Sequence, residues 1–159
     1  MMKKKRGMLH YLGCGLPNVW LRNGYEERGT AYGKAVSVQD VEGLHRAIGL
    51  MLVRDKPLLS RAEVRFLRKE LDLSQGALGQ MLGVGETTVR GWESPRGRIP
   101  RPAERLLRQI YLESQQEDSL LRELIERIAQ IDREAHTARL EFERDSSGHG
   151  DDGEWRSAA

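Results

Sequence analysis

The sequence predicts a mainly helical protein, in which a helical domain follows a small β-hairpin and helix and precedes a long C-terminal helix. Three observations predict this fold class. Apolar residues recur at three- and four-residue steps over several stretches of the 159-residue chain. Capping patterns and prolines separate these stretches from one another. Strand-forming residues and turn-forming pairs are concentrated in residues 17–38.

Composition and leader signals limit the class of protein further. Hydrophobic residues make up 38% of the chain, and no apolar run approaches the roughly 20 residues of a membrane span. The basic start MMKKKR is not followed by the apolar stretch of a signal peptide. Cys14 is the single cysteine, so no internal disulfide can form. We therefore expect a cytoplasmic protein without membrane contact.

Charge is distributed unevenly along the chain. Residues 1–59 contain ten Lys/Arg and five Asp/Glu, and residues 60–112 contain ten and six. Residues 113–159 contain six and thirteen. A basic body with an acidic tail favours an anionic partner for the body. The alternative explanation is charge patterning that serves solubility alone.

The first two predicted segments are a flexible basic arm, residues 1–16, and a small α+β segment, residues 17–56. In the second segment, the pairs Asn23-Gly24 and Arg28-Gly29 have turn chemistry, and valines alternate with polar residues near position 37. Asp40 is placed to cap a helix over residues 41–53. The apolar face predicted for this helix contains Val41, Leu44, Ile48 and Leu52.

The third predicted segment, residues 57–112, opens with a capping box. The Ser60 hydroxyl can accept a hydrogen bond from the third helical amide, and Glu63 can accept one from the Ser60 amide. The helix that follows places Val64 and Leu67 on its apolar face. Its outer face is expected to be a solvated basic surface rather than a DNA contact; it contains Arg61, Arg65, Arg68 and Lys69.

The fourth predicted segment is an amphipathic C-terminal helix, residues 113–144, and the fifth is a disordered tail, residues 145–159. The helix carries a heptad pattern of apolar residues at steps of three and four: Leu121, Leu124, Ile128, Ile131, Ala135, Ala138 and Phe142. Two interpretations stay open. The apolar face either packs back onto the helical domain or forms an intermolecular seam.

Five glycines in 21 residues raise the central question of the sequence, LSQGALGQMLGVGETTVRGWE from Leu73 to Glu93. Glycine inside a helix costs roughly 1 kcal/mol relative to alanine. Two short helices that cross steeply explain two of them. Gly79 falls where the helices approach most closely, and Gly83 follows the first helix, where a left-handed backbone is needed. The inward apolar residues expected to complete this helix-turn-helix core are Leu78, Leu82, Val84, Val89 and Trp92.

This segment resembles the Xre (Cro/CI-type) helix-turn-helix family, whose pattern runs LSQxxLAxxLGVxxxTVxxWE. The resemblance covers about residues 59–112, with Gly79 in the place of the usual alanine. More narrowly, GLPNVWLRNGYE, LHRAIG and RFLRKELDLSQ are similar to solitary bacterial regulators related to MqsA/YgiT-type antitoxins. Those antitoxins normally carry an N-terminal zinc domain built on paired CxxC motifs, and this chain lacks those cysteines.

The resemblance implies that the helix over residues 86–92 enters the major groove of double-stranded DNA. Threonine hydroxyls can bond bases or phosphates, and arginine can fork onto guanine. The start of the preceding helix offers amide groups to a phosphate, and arginines in the following loop can add backbone contacts. The candidate DNA-binding residues are Ser74, Gln75, Glu86, Thr87, Thr88, Arg90, Arg96 and Arg98.

Three functions are compatible with these patterns. The leading prediction is a sequence-specific bacterial transcription regulator, a repressor, that binds DNA as a homodimer. The alternative is an antitoxin that binds a protein toxin and represses its own operon. The third is a non-specific nucleic-acid binder that relies on the basic arm and the arginine-rich loop.

Catalysis and metal binding are not expected. The spacing of His10, Cys14 and His45 fits no zinc motif. No nucleophile, base and orienting group stand at a recognisable spacing, and the glycines near position 14 lack the Gly-Lys-Ser/Thr of a phosphate loop. The sequence therefore predicts no enzyme activity, no metal and no cofactor.

Overall fold

The structure, a computed structural model, describes residues 7–116, 119–137, 139–144 and 155–158. The mainly helical fold class predicted from the sequence is confirmed, with six helices and a few small strands in these residues. The helices are α1 (Val41–Asp55), α2 (Arg61–Glu70), α3 (Gln75–Leu82), α4 (Glu86–Trp92), α5 (Arg101–Ser114) and α6 (Leu120–Thr137).

The described strands form three separate antiparallel pairs. Strand β1 (Leu9–His10) pairs with β2 (Trp20–Leu21), and β3 (Tyr25–Thr30) pairs with β4 (Gly33–Val38). Strand β5 (Phe142–Arg144) pairs with β6 (Trp155–Ser157). The β3–β4 pair is a hairpin that projects into solvent, because only Tyr25 at its base is buried.

The hairpin differs from its predicted turns. Gly24, with φ 76°, lies just before β3, as the Asn23-Gly24 pair suggests. The Arg28-Gly29 pair, in contrast, lies inside β3, where Arg28 faces Ala35 across the ladder. The chain instead reverses at residues 31–32, immediately before Gly33, whose φ is 122°. Gly29 therefore has no turn to make, and a strand tolerates it at an exposed position.

Helix α1 is capped as the sequence predicts but extends to Asp55, beyond residue 53. The Asp40 side chain accepts a hydrogen bond from the Gly43 amide, which satisfies a free donor of the first turn. Ile48 and Leu52 of the predicted apolar face are buried, whereas Val41 is exposed. The inner side of α1 packs against α5 and α2.

Helix α2 begins with the predicted capping box, which the structure confirms. The Ser60 hydroxyl accepts from the Glu63 amide, and the Glu63 carboxylate accepts from the Ser60 amide at 2.7 Å. Glu63 is buried and also accepts from Lys56 Nζ at 2.8 Å. Val64 and Leu67 are fully buried, so the capping box fixes the start of a helix that lies at the centre of the core.

A buried polar cluster joins α1 to α5. Glu104, 2% exposed, accepts two hydrogen bonds from the Arg108 guanidinium. The same guanidinium donates to the carbonyl oxygens of Leu52 and Val53 at the end of α1. Arg108 thus satisfies carbonyls that the helix itself leaves without partners. Because all of these groups have partners, the cluster can be buried without the cost of an unpaired charge.

The C-terminal part of the chain differs most from the sequence-based expectation. The helix predicted over residues 113–144 is divided: α5 ends at Ser114, and α6 occupies Leu120–Thr137. Phe142, the last residue of the predicted heptad, lies in β5 rather than in a helix. Ala138 and residues 145–154 of the predicted disordered tail lie outside the described residues. Within the tail, residues 155–157 form the strand that pairs with β5.

The N-terminal arm is also shorter than predicted. Residues 9–10 pair with β2, and Leu16 is 2% exposed within the main core. The Tyr11 amide donates to the Val19 carbonyl at 2.9 Å. Of the predicted arm 1–16, residues 7–16 therefore belong to the folded body, and residues 1–6 lie outside the described chain. The apolar character of Leu9 and Leu16 is the signal that the arm prediction did not use.

Close packing of α1 on α5 requires a glycine that sequence analysis did not single out. A Cβ at Gly49 would overlap the Tyr111 hydroxyl and lie 2.8 Å from the ring carbon Cε1. Tyr111 is 1% exposed and cannot move aside. Burial raises its pKa to about 12, with a further contribution from the charge of Glu70, so the phenol stays protonated in the core.

We predict that Gly49→Ala lowers the free energy of unfolding by about 1–3 kcal/mol, the usual cost of overpacking. The matched control is Gly91→Ala in α4, where nothing lies within 4 Å of the added Cβ. The control should gain up to roughly 1 kcal/mol, the ordinary helix-propensity gain of alanine over glycine. Urea unfolding of both variants measures the difference. If Gly49→Ala is as stable as Gly91→Ala, the described α1–α5 contact is wrong.

Candidate nucleic-acid interface

Helices α3 and α4 form a compact pair joined by a three-residue turn. Ser74 caps α3, with its hydroxyl accepting from the Ala77 amide at 3.0 Å. Gly83 follows α3 with φ 71°, the left-handed conformation that the sequence predicts for it. The Val84 amide then donates to the Gly79 carbonyl at 2.8 Å and closes the turn. Gly85 leads into α4 without a side-chain cap.

Gly79 lies at the closest approach of the turn to α3. A Cβ at this position would stand 2.7 Å from the Val84 carbonyl oxygen and 3.3 Å from the Gly85 carbonyl. The obstacle is backbone, which cannot rotate away as a side chain can. A residue much larger than glycine would therefore push α4 away from α3. Gly76 and Gly91, in contrast, meet no steric obstacle within 3.4 Å.

The inner sides of the two helices belong to the main core. Leu78 and Val89 are fully buried, and Trp92 is 7% exposed. Leu82 and Val84 are only partly buried and pack against the edge of the core. Ile99, 2% exposed, anchors the loop after α4 in the same core. The inner sides of α3 and α4 therefore hold the two helices to the core.

The other side of α4 is polar and open to solvent. Glu86, Thr87, Thr88 and Arg90 are all exposed. Arg90 Nη2 donates to Glu86 Oε1 at 2.7 Å, one turn apart on the helix. Both side chains are more than half exposed. Such a pair contributes about 0.3–0.5 kcal/mol, so a ligand can separate it at little cost.

Two further arginines lie beside the end of α4 in a well-defined loop. Arg96 and Arg98 are both exposed. Between them, Gly97 packs against the end of α4, because a Cβ there would overlap the Gly91 carbonyl and lie 2.7 Å from that of Trp92. The Gly97 amide donates to the Ser94 carbonyl at 2.8 Å. The two guanidinium groups therefore extend from a fixed backbone.

A buried ion pair connects this region to α2. Arg68 donates from Nε and Nη2 to the two carboxylate oxygens of Glu93, at 2.6 and 3.0 Å. Its third donor, Nη1, bonds the Leu73 carbonyl at 2.9 Å. Gln75 Nε2 donates to the same Glu93 carboxylate at 2.9 Å. One carboxylate thus joins the body of α2, the start of α3 and the end of α4.

This network changes the expectation for two residues. Arg68, assigned to the solvated basic face of α2, is only 8% exposed and is a structural residue. The Gln75 side chain, a candidate DNA contact, is held by Glu93, which fixes its direction. Burial alone would raise the pKa of Glu93. The hydrogen bonds from Arg68 and Gln75 and the charges of Arg68 and Arg65 outweigh burial and lower this pKa below its usual 4.5.

A second set of linked polar side chains, which sequence analysis missed, joins the N-terminal loop (residues 11–19, between β1 and β2) to α1 and α2. His45 Nδ1 lies 2.8 Å from Glu70 Oε1, and His45 Nε2 lies 2.9 Å from the Tyr11 hydroxyl. Burial, Cys14 and Glu70 raise the pKa of Tyr11, so its phenol is not activated as a nucleophile. The partners are 34 and 25 residues apart in sequence, so no local spacing could reveal them.

Metal-ligand chemistry has no geometric support in the part of the chain that the structure describes. No group of three or more His, Cys, Asp or Glu residues there could hold a metal ion. His10 stacks on Trp20, and His45 is engaged by Glu70 and Tyr11. Of the described helices, none has the length and apolar character that crossing a membrane requires.

Comparisons with known proteins do not place the chain in a family. No protein-family model, curated protein or solved structure matches it.

We predict that Glu93→Gln weakens the fold at neutral pH and flattens its response to acid. Because the pKa of Glu93 is lowered by folding, its contribution is complete above pH 4.5 and is lost as the pH falls through the folded-state value. The variant leaves Arg68 buried without a counter-charge, at a cost of about 3–5 kcal/mol. Chemical unfolding between pH 7 and pH 3 measures both effects.

The matched control is Glu86→Gln, which breaks the exposed pair with Arg90. This change should cost no more than about 0.5 kcal/mol. Equal losses in the two variants at pH 7 would show that the Glu93 network does not stabilise the fold.

Proposed function

We propose that the protein is a sequence-specific DNA-binding transcription regulator, a repressor, in which α3 and α4 act as a helix-turn-helix. The observation that carries this proposal is the two-sided character of α4. Val89 and Trp92 fix its inner side in the core, while Glu86, Thr87, Thr88 and Arg90 protrude from the other side. A short rigid helix with an exposed polar face fits the major groove of double-stranded DNA.

The exposed residues of α4 have separate roles in this proposal. Thr87 and Thr88 offer hydroxyls to bases or phosphates and methyl groups to thymine. Arg90, once it leaves Glu86, can donate two parallel hydrogen bonds to guanine. Glu86 can accept from a cytosine amino group. These contacts would specify sequence.

Residues around α4 supply contacts that position the protein rather than specify sequence. Ser74 and Gln75 stand at the start of α3, where free amide groups and the helix dipole favour a phosphate. The network with Glu93 holds Gln75 in place for that contact. Arg96 and Arg98 can neutralise further phosphates from the loop after α4. Residues 60–112 carry ten Lys/Arg against six Asp/Glu, which suits a polyanion.

We propose further that the protein binds DNA as a homodimer through α6. Ile125 and Ala129 of α6 are buried against the body of the same chain. Leu124 and Ile131, one heptad apart, are 56% and 58% exposed. A second copy presents the same stripe, so two α6 helices can cover each other in a two-fold contact.

The surroundings of the stripe support the same occupant. An open cavity of about 180 Å³ lies between α3 and α6, bordered by Ala77, Ile128 and Ile131. It adjoins the exposed stripe and has room for an apolar side chain of the second copy. Because α3 forms one wall, a dimer built here would also fix the distance between the two α4 helices, as a palindromic site requires.

Selection of genomic fragments at physiological salt tests the function. The wild type should enrich one palindromic motif. The double variant Thr87→Ala, Arg90→Ala should lose that enrichment while folding normally, because both side chains are exposed. Arg90→Ala alone should relax preference at one base pair, at about 1–3 kcal/mol.

The control for lost charge is Arg105→Ala, which removes an exposed cation from α5 and should retain the motif. A motif that survives the double variant would show that α4 does not contact bases. Equal recovery of all fragments would instead indicate the non-specific mode of binding.

Sedimentation of the double variant Leu124→Gln, Ile131→Gln tests the dimer. We expect the wild type to be a dimer at micromolar concentration and the variant to be a monomer. Because both sites are exposed, each substitution should change the free energy of unfolding by no more than about 0.5 kcal/mol. The matched control is Glu123→Gln, Glu126→Gln, which places the same new side chains on the polar side of α6. A wild type that sediments as a monomer, free and on DNA, would overturn the homodimer.

A further inference from the structure

A basic cleft lies beside α2, on the side of the N-terminal loop. Its volume is about 480 Å³. Arg61, Arg65 and Lys69 of α2 line it together with Cys14, Gly15 and Pro17 of the N-terminal loop. Phe66 and Glu93 also belong to the lining.

The cations of this cleft occupy successive turns of one helix face. Arg61, Arg65 and Lys69 are four residues apart, so their side chains are neighbours. All three are exposed, and none donates to a carboxylate in the described parts of the chain. Like charges at this spacing destabilise an isolated helix by about 0.2–0.5 kcal/mol per pair. The fold therefore retains an arrangement that is unfavourable without a partner.

Two other arginines show the opposite pattern. Arg68, on the same helix, is neutralised by Glu93, and Arg108 is neutralised by Glu104. Glu93 offsets this charge only in part: its two oxygens accept from Arg68 and Gln75 rather than from a cation of the cleft, although the charge of Arg65 helps to lower its pKa. The cleft thus keeps a net positive charge beside the apolar groups that help to line it.

We propose that this cleft binds phosphoryl groups. Guanidinium groups match phosphate oxygens in geometry and charge, and a lysine adds a point charge. Three cations along two helical turns suit a ligand with more than one phosphate, as in a phosphodiester chain or a pyrophosphate.

Two sources can supply these phosphates. The first is the backbone of bound duplex beyond the α4 contact, and this source rests on the proposed function. The second is a free phosphorylated molecule, which needs no DNA binding. Because Glu93 borders the cleft and also holds Gln75, an anion bound here adjoins the start of α3.

The first arm of the test uses inorganic pyrophosphate as the probe. Titration followed by calorimetry should show saturable binding to the wild type. The triple variant Arg61→Gln, Arg65→Gln, Lys69→Gln should lose at least tenfold in affinity. The control Arg54→Gln, Arg105→Gln, Arg127→Gln removes three exposed cations from other helices and should bind as the wild type does.

The second arm measures the salt dependence of affinity for a selected duplex. If the cleft binds three DNA phosphates, the slope of log K against log salt should be less steep in the triple variant by about 2.7, since each phosphate contributes about 0.9. If the triple variant loses pyrophosphate binding but keeps the wild-type salt slope for the duplex, the source of the phosphates is a free phosphorylated molecule.

Failure of this proposal differs from failure of the proposed function. If pyrophosphate binding and the salt slope are both the same in the triple variant and the control, the cleft is not a phosphate site, whatever α4 does. If no duplex is enriched but pyrophosphate binds and the triple variant loses it, the cleft stands and the DNA-binding proposal fails.

Discussion

The ion pair between Arg68 and Glu93 is the interaction on which the arrangement of α3 and α4 depends. It joins two residues 25 positions apart and is shielded from water, with side chains 10% and 5% exposed. Gln75 and the Leu73 carbonyl satisfy the remaining groups, so neither charge is buried without a partner. Because Glu93 follows α4 and Gln75 begins α3, the pair sets how both helices stand on α2. The exposed face of α4 is positioned by this buried contact.

Local signals made much of the fold predictable from the sequence. The Asp40 cap and the Ser60–Glu63 capping box are encoded by neighbouring residues, and the structure contains both. Gly83 has the predicted left-handed conformation for the same reason. The heptad pattern predicted too long a C-terminal helix. The helix follows this pattern over only part of the predicted range, and apolar periodicity does not show where a helix ends. Phe142 continues the spacing but belongs to a strand.

The contacts that sequence analysis missed join residues distant along the chain. Arg68 is buried, and Tyr11, His45 and Glu70 are linked, because particular helix faces meet. The spacing of residues along the sequence does not show which faces meet. The requirement for glycine at position 49 is also a long-range effect, because Tyr111 of α5 occupies the space that a side chain would need. The outward residues of α4 were easier to assign, because they follow from the inward positions of a single short helix. The exposure of these side chains was therefore predictable from the sequence, whereas the network that supports α4 was not.

Contact between α4 and DNA is tested most directly by the amide NMR spectrum of the protein titrated with a selected duplex. If α4 contacts DNA, the largest shift changes occur at residues 74–76 and 86–91, at the start of α3 and along the exposed face of α4. Changes confined to α1 or α6, with residues 86–91 unaffected, would contradict the claim that α4 contacts DNA. The titration compares all helices in one experiment, so either result assigns the interface.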